Sequence, residues 1–278
     1  MTAYYNEIDP AAVAMLEQLI ADGVIAPGVV DNRSIKDVQP NDLSGFTQCH
    51  FFAGGGLWSV AARMAGWPDH RPIWTGSCPC QPFSAAGKGL GKDDPRHLWP
   101  DFHRLIRASR PAVVMGEQVA GARGYDWFDG VRSDLAKESY ASRGIDIPAC
   151  SVDAPHQRNR LYWIATAPGV LPDTEHTVGR AHDDIRGGRH STEEERQGQG
   201  ATQPGELHQA SHGGHNGSWW ADAEWIDCHD GKGRRTKPGL PLLVDGVPGR
   251  VDLWRVGGNA IVPILAAEVI GAFMEVSP

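Results

Sequence analysis

Cys78 and Cys80 stand one proline apart in TGSCPCQPFSAAGKG, residues 75–89. Two thiols at this spacing suggest three chemistries: half of a metal clip, a redox pair, or a nucleophile beside an inert neighbour. A structural zinc site needs four ligands at suitable spacing, yet Cys49, Cys150 and Cys228 are isolated and the histidines from His176 to His215 are scattered through a polar tract. A redox dithiol usually keeps two residues between its cysteines. What remains is one catalytic thiol or two small buried hydrophobes, and no metal site is expected.

Three other groups carry potential chemistry. Glu117 follows an apolar run in PAVVMGEQVAG (111–121), Arg158 and Arg160 flank an asparagine in APHQRNRLYWIA (154–165), and glycines cluster in HFFAGGGLWSVAARMAGW (50–67). The elements that position them are legible in outline. Short apolar runs predict buried strands over 111–121 and 160–167. Leu98, Phe102, Leu105 and Ile106 repeat at helical spacing within 97–110. Ile261, Ile264, Leu265 and Val269 predict a terminal amphipathic helix, with Pro263 in its first turn. This alternation predicts an α/β fold. From about 168 to 218 periodicity is lost in a polar, glycine-rich tract that cannot bury a core, so a mobile loop is expected over about 172–218.

The chain of 278 residues is long enough for one large or two modest domains. No run approaches the ~20 apolar residues of a membrane helix, and the first ten residues lack a secretory pattern. Five cysteines fit a reducing cytosol rather than a disulfide framework. A formal net charge of −8 does not advertise a nucleic-acid partner, so DNA binding would require a local basic surface.

Together these motifs resemble the DNA cytosine-5 methyltransferase family. PCQPFSAAGKG resembles its proline–cysteine–glutamine loop, with Cys80 in the nucleophile's place. GEQVAG resembles its glutamate motif, APHQRNRLYWIA its arginine motif, HFFAGGGLWSVAARMAGW its cofactor loop and helix, and GGNAIVP its C-terminal asparagine motif. The resemblance implies a Rossmann-like S-adenosylmethionine-dependent methyltransferase fold, with S-adenosylhomocysteine as product. Its catalytic residues would be Cys80, Glu117, Arg158 and Arg160. Cofactor contacts would come from Phe52, Ala53, Gly54, Gly56, Leu57, Trp58, Pro79, Asn259, Ala260 and Ile261. The chemistry suits these residue types. A thiolate adding to C6 breaks the ring's aromaticity and makes C5 nucleophilic. A protonated glutamate at N3 stabilises the charge that develops, and burial would keep it protonated. The target base must leave the stack to be reached.

One departure concerns the order of the motifs. The family places a ribose-binding acid and an adenine-side aspartate between the glycine loop and the cysteine loop, whereas here Trp67 to Ser77 runs almost directly into Cys80. YYNEIDPAAVAMLEQLI, at residues 4–20, resembles the acidic motif, with Glu7 and Ile8 toward the cofactor. DNRSIKDVQPNDL, at 31–43, resembles the next, with Ser34 in the aspartate's place and Asp31 and Ile35 nearby. The expectation is a permuted order: second and third strands first, then the first, then the fourth, with a short return from Val38 to Gln48. The rival expectation is that Asp9-Pro10 merely starts a helix.

The family keeps target recognition before its last motif. The resemblance therefore divides the chain into a catalytic domain, 1–167 plus 249–278, and a small recognition region, 168–248. HDGKGRRTKPG offers Lys232, Arg234, Arg235 and Lys237 as a backbone-contacting loop. Gln81, Ser84 and Lys88 within the cysteine loop, and Lys92 and Arg96 just after it, would lie close to where a flipped base would sit. The expected partner is double-stranded DNA, met by a monomer in the cytoplasm of a bacterial or phage-infected cell, with no membrane role. Two alternatives stand beside methyl transfer: the same thiolate addition with a different electrophilic donor, and a DNA-binding homologue whose chemistry has lapsed.

Overall fold

A computed structural model describes residues 2–79, 97–152, 154, 158–170 and 260–277, together with the backbone of 224–227 and 233–236. The chain forms β1 (Ala3–Asn6), α1 (Pro10–Ala21), β2 (Gly28–Asp31), β3 (Gln48–Phe51), α2 (Leu57–Met64), β4 (Ile73–Gly76), α3 (Trp99–Ser109) and β5 (Val113–Val119). Then follow α4 (Ala122–Lys137), β6 (Ala141–Ile147), β7 (Arg160–Thr166), β8 (Glu224–Asp227), β9 (Gly233–Thr236) and α5 (Pro263–Val276).

Seven strands make one sheet in the order β2-β1-β3-β4-β5-β7-β6. Strands β1 to β5 are parallel, while β7 runs antiparallel between β5 and β6. Strands β1, β3 and β4 are buried throughout, as parallel strands covered on both faces must be. Successive side chains point to opposite faces, and the two cores divide accordingly. Tyr4, Phe51, Trp74, Val114 and Trp163 pack with Phe102, Leu105, Trp127 and Val131 from α3 and α4. Ile73, Val113, Met115 and Tyr162 pack with Trp58 and Ala61 from α2 and with Leu265, Ile270 and Phe273 from α5. Leu16 of α1 joins Ala3 and Tyr5 in a third cluster.

Local chemistry explains the element starts. The Asp9 carboxylate accepts the backbone N–H groups of Ala11 and Ala12, with Pro10 in the first turn of α1. Pro263 opens α5 in the same way. The expected strands, the helix within 97–110 and the terminal helix are all present. The return from β2 to β3 differs from expectation: β2 already ends at Asp31, so the connection is residues 32–47, longer than the stretch from Val38. It folds as a 3₁₀ turn at Pro40–Leu43 and buries Ile35, Val38 and Leu43.

The chain first steps outward from β1 to β2, then crosses back past β1 to β3 and continues to β4 and β5. The direction of winding therefore reverses between β1 and β3. In open α/β sheets ligands bind at such a switch point, beyond the carboxyl ends of the strands.

Candidate active site

Glu7 and the glycine loop meet at that switch point. Glu7 directly follows β1, and its Oε2 accepts the Gly54 N–H at 2.7 Å. Its Oε1 accepts the Asp9 N–H at 2.8 Å, so the turn that caps α1 also fixes the carboxylate. Ala53 N–H donates to the Asn6 carbonyl, tying the start of the loop to β1. The loop bends through left-handed backbone at Phe52, Gly54 and Gly56. A Cβ on Gly56 would lie 3.1 Å from Leu16 and 3.2 Å from Ile25, whereas one on Gly54 would meet nothing within 4 Å among the described residues. The loop is thus packed beneath and open above. Ile8, beside Glu7, is 65 % exposed, an apolar surface next to a carboxylate. Asp9-Pro10 does start a helix, and that helix start is what turns Glu7 toward the glycine loop.

The other cofactor candidates lie around this point. Ala53 is buried against α1, and Leu57 is half-buried against the α2–α5 core. Trp58 is buried, its Nε1–H donating to Ser77 Oγ at 2.9 Å, so the helix after the glycine loop is tied to the end of β4. Phe52 and Phe102 meet in a T-shaped ring pair. Pro79 is half-buried.

On β2 the carboxylate at the strand end is Asp31. Its Oδ1 and Oδ2 both accept from Arg33, at distances from 2.7 to 3.1 Å, and Oδ2 also accepts Tyr4 Oη–H at 2.6 Å. Burial pushes this carboxyl up, but the Arg33 and Tyr4 hydrogen bonds outweigh it and bring it down to about 2. Arg33 continues to Asp42 at 2.8 Å, pinning the 3₁₀ turn to the strand end. Asp31 is therefore engaged by protein donors. Ser34 is half-buried, with Oγ accepting the Lys36 N–H at 3.4 Å, and Ile35 is buried in the apolar core. Tyr4 and Arg33 did not stand out in the sequence, although a tyrosine in β1 and an arginine two residues after Asp31 were the available signal.

Glu117 and Arg160 join across β5 and β7. Arg160 Nε lies 2.7 Å from Glu117 Oε1. Glu117 pairs in register with Tyr162 and Val119 with Arg160, so the arginine reaches back along the strand to the carboxyl. Glu117 is only 8 % exposed. Burial pushes its carboxyl above the usual range, opposed by the Arg160 and Arg158 charges. Arg158 has left-handed backbone, and its Nη2 donates to the Ala260 carbonyl at 2.8 Å. That bond ties the arginine motif to the segment entering α5, where Ile261 is buried with Trp58 and Tyr162. On the other face, Gly116 lets Trp163 and strand β4 approach β5 closely: a Cβ there would sit 2.4 Å from Trp163 and 2.5 Å from the Gly76 carbonyl.

Cys78 is buried in the α3–α4 core, and burial pushes its thiol up. Cys80, Gln81, Ser84, Lys88, Lys92, Arg96, Lys232, Lys237 and Asn259 lie outside the described residues, as does nearly all of 168–248. Arg234 and Arg235 lie on strand β9 rather than in a loop. They stand opposite Ile226 and Trp225 in an antiparallel hairpin that the short, glycine-flanked segment had not announced.

The arrangement is that of an α/β enzyme: a carboxylate and a glycine loop at the switch point, with a buried acid and two arginines two strands farther along the same edge of the sheet. Residues 66–223, more than half of the chain, match the family model for C-5 cytosine-specific DNA methylases, and the chain belongs to that family. It is 33% identical over 100 residues to the Type II methyltransferase M.NgoMIV of Neisseria gonorrhoeae, which is 35% of this chain and 32% of that one. It is 32% identical over 101 residues to M.HhaI of Haemophilus parahaemolyticus, covering 35% and 31%. Each alignment thus spans about a third of the relative's length. Among solved structures, a mutant form of Spodoptera frugiperda DNMT2 aligns with a TM-score of 0.42 at 15% identity, over 63% of this chain and 45% of that one.

Proposed function

We propose that the protein transfers a methyl group from S-adenosylmethionine to C5 of cytosine in double-stranded DNA. The observation that carries this reading is the buried Glu117 carboxyl, pushed up by burial and fixed by Arg160, in a member of the cytosine-5 methylase family.

The residues at the switch point fit the cofactor. Glu7 uses each oxygen for one N–H bond. A carboxylate oxygen accepts about two hydrogen bonds, so capacity is left for a pair of ribose hydroxyls. Ile8 offers an apolar face for the adenine, and the open side of Gly54 admits a ligand close to backbone. This supports the permuted order, in which β1 and β2 supply contacts that the family takes from later strands. Asp31 in this reading shapes the pocket wall through Arg33 and Tyr4. S-adenosylmethionine supplies an electrophilic methyl group when bound.

Cys80 is the proposed nucleophile. Its thiolate forms a bond to C6 as the C5–C6 π pair moves into the ring, and Glu117 gives its proton to N3 to neutralise the charge that builds up. Arg160 holds the carboxyl in place, and Arg158 anchors the segment at Ala260. After C5 is methylated its proton passes to a base, the electron pair re-forms the C5–C6 double bond, the thiolate leaves, and the N3 proton returns to Glu117. The base is flipped from the duplex for this. Basic side chains at Lys88, Lys92, Arg96, Lys232, Arg234, Arg235 and Lys237 are proposed to meet DNA phosphates, and Gln81 and Ser84 the region of the flipped base. The test is transfer of tritiated methyl from S-adenosylmethionine to unmodified duplex DNA. Wild type labels the DNA and Glu117→Gln loses about 100-fold or more; equal rates would overturn the role of Glu117.

A further inference from the structure

Tyr162 lies directly opposite Glu117 in the β5–β7 register. Cross-strand partners share a face of the sheet, with Cβ atoms ~5 Å apart. Its side chain is fully buried, with its ring edge-on to Trp58 of α2 and its neighbours Ile261 and Leu265 at the start of α5. Among the described residues the backbone N–H of Val262 is directed at the hydroxyl oxygen, and the O–H itself has no acceptor. A buried O–H without an acceptor carries an uncompensated desolvation cost. Phenylalanine would fill the same space without that cost and would forgo only the Val262 contact, which uses the oxygen as acceptor and gives no reason for the O–H as a donor. Among the described residues the charges felt at this hydroxyl are those of Glu117, Arg160 and Arg158.

We propose that Tyr162 is a positioning residue for Glu117, its O–H being the donor that supports the carboxylate once the carboxyl has given its proton to N3. The inference rests on the cytosine-5 methyl-transfer reading for the reaction, but not for its test. While Glu117 is protonated, Arg160 alone satisfies Oε1 and the phenol has no task. When the proton leaves, a buried carboxylate needs a second donor, and the phenol across the strand pair is the neutral one that faces it. The proton moves from Glu117 to N3, and Tyr162 keeps its own.

Tyr162→Phe separates this from a packing role. The folded variant is expected to melt close to wild type, because it loses only the Val262 contact and an O–H without an acceptor. Its kcat is expected to fall about 10–100-fold, the value of a hydrogen bond to a charged group, with KM for cofactor and DNA unchanged. Removing a donor from the ionised form raises the carboxyl pKa. The alkaline limb of the kcat profile, which requires protonated Glu117, is therefore expected to move to higher pH. The decisive readout needs no turnover: a ¹³C-carboxyl NMR titration of Glu117, assigned by its loss in Glu117→Gln, in wild type and Tyr162→Phe. An upward displacement of the midpoint, equivalent to a proton held about tenfold more tightly, supports the proposal. Superimposable titrations overturn it, whether or not the protein methylates DNA. Absence of methyl transfer by wild type would instead overturn the proposed function.

Discussion

Arg160 Nε lies 2.7 Å from Glu117 Oε1, the guanidinium of one strand closing on the carboxyl of its antiparallel neighbour. Arg160→Ala leaves that buried carboxyl without its cation. The expected loss of stability is about 1–3 kcal/mol near neutral pH. Burial already holds the Glu117 carboxyl above its usual range, so its contribution is most favourable at low pH and is lost as pH rises through the folded-state value. Without Arg160 that value rises further, and urea unfolding should show a smaller penalty at pH 5 than at pH 8.

Glu7 spans the switch point through Gly54. Glu7→Ala is expected to weaken S-adenosylhomocysteine binding about 10–100-fold in isothermal titration calorimetry, the value of hydrogen bonds to a charged acceptor. Arg33→Ala should weaken it less, since Arg33 acts on the pocket wall through Asp31 and Asp42. A larger effect from Arg33 than from Glu7 would reverse the assignment of the ribose anchor.

His50 predicts the acid limit of stability. It is buried on β3 between Thr75 Oγ1 at 2.8 Å and Gln48 Oε1 at 3.3 Å, stacked on Tyr5. Burial brings its pKa down to about 3. The unfolded chain takes up the proton near the ordinary value of ~6.5 while the native state resists it. Stability is therefore complete above ~6.5 and falls as pH drops toward 3, by several kcal/mol if the fold persists that far. Chemical denaturation at pH 7 and pH 5 checks this, and the difference should shrink in a folded His50→Leu variant.

Gly116→Ala is expected to cost about 1–3 kcal/mol or more, because its Cβ would press on Trp163 and on the Gly76 carbonyl. The displacement falls one residue from Glu117, so methyl transfer should drop along with the melting temperature.

The sequence announced those elements whose burial is two-sided or whose caps are strong. β5, β7, α3 and α5 are apolar runs with clear boundaries, and Asp9-Pro10 marks the start of α1. β6 was not announced. As an edge strand its alternating residues Ser142, Gly144 and Asp146 face α4 with little apolar character, Gly144 lying against Phe128 and Asp146 bonded to Tyr125. α4 was missed as well: Trp127, Phe128, Val131 and Leu135 do repeat at helical spacing, but Gly124 and Gly130 within the segment lower its helix propensity. At the candidate site, the resemblance of the motifs singled out Glu117, Arg160 and Glu7, and the structure joins Glu117 to Arg160 and Glu7 to the glycine loop. The saturation of Asp31 by Tyr4 and Arg33, and the pairing of Tyr162 with Glu117, are products of strand register that spacing along the chain does not encode.

The central claim is a covalent bond between Cys80 and C6 of cytosine. A duplex carrying 5-fluorocytosine tests it most directly, because fluorine at C5 cannot leave as a proton does and the adduct is trapped. Incubated with S-adenosylmethionine and digested for mass spectrometry, wild type is expected to give a one-to-one adduct mapped to Cys80, absent in Cys80→Ala. An adduct on Cys78, or none from a protein that still binds S-adenosylhomocysteine, would contradict the assignment of Cys80 as nucleophile.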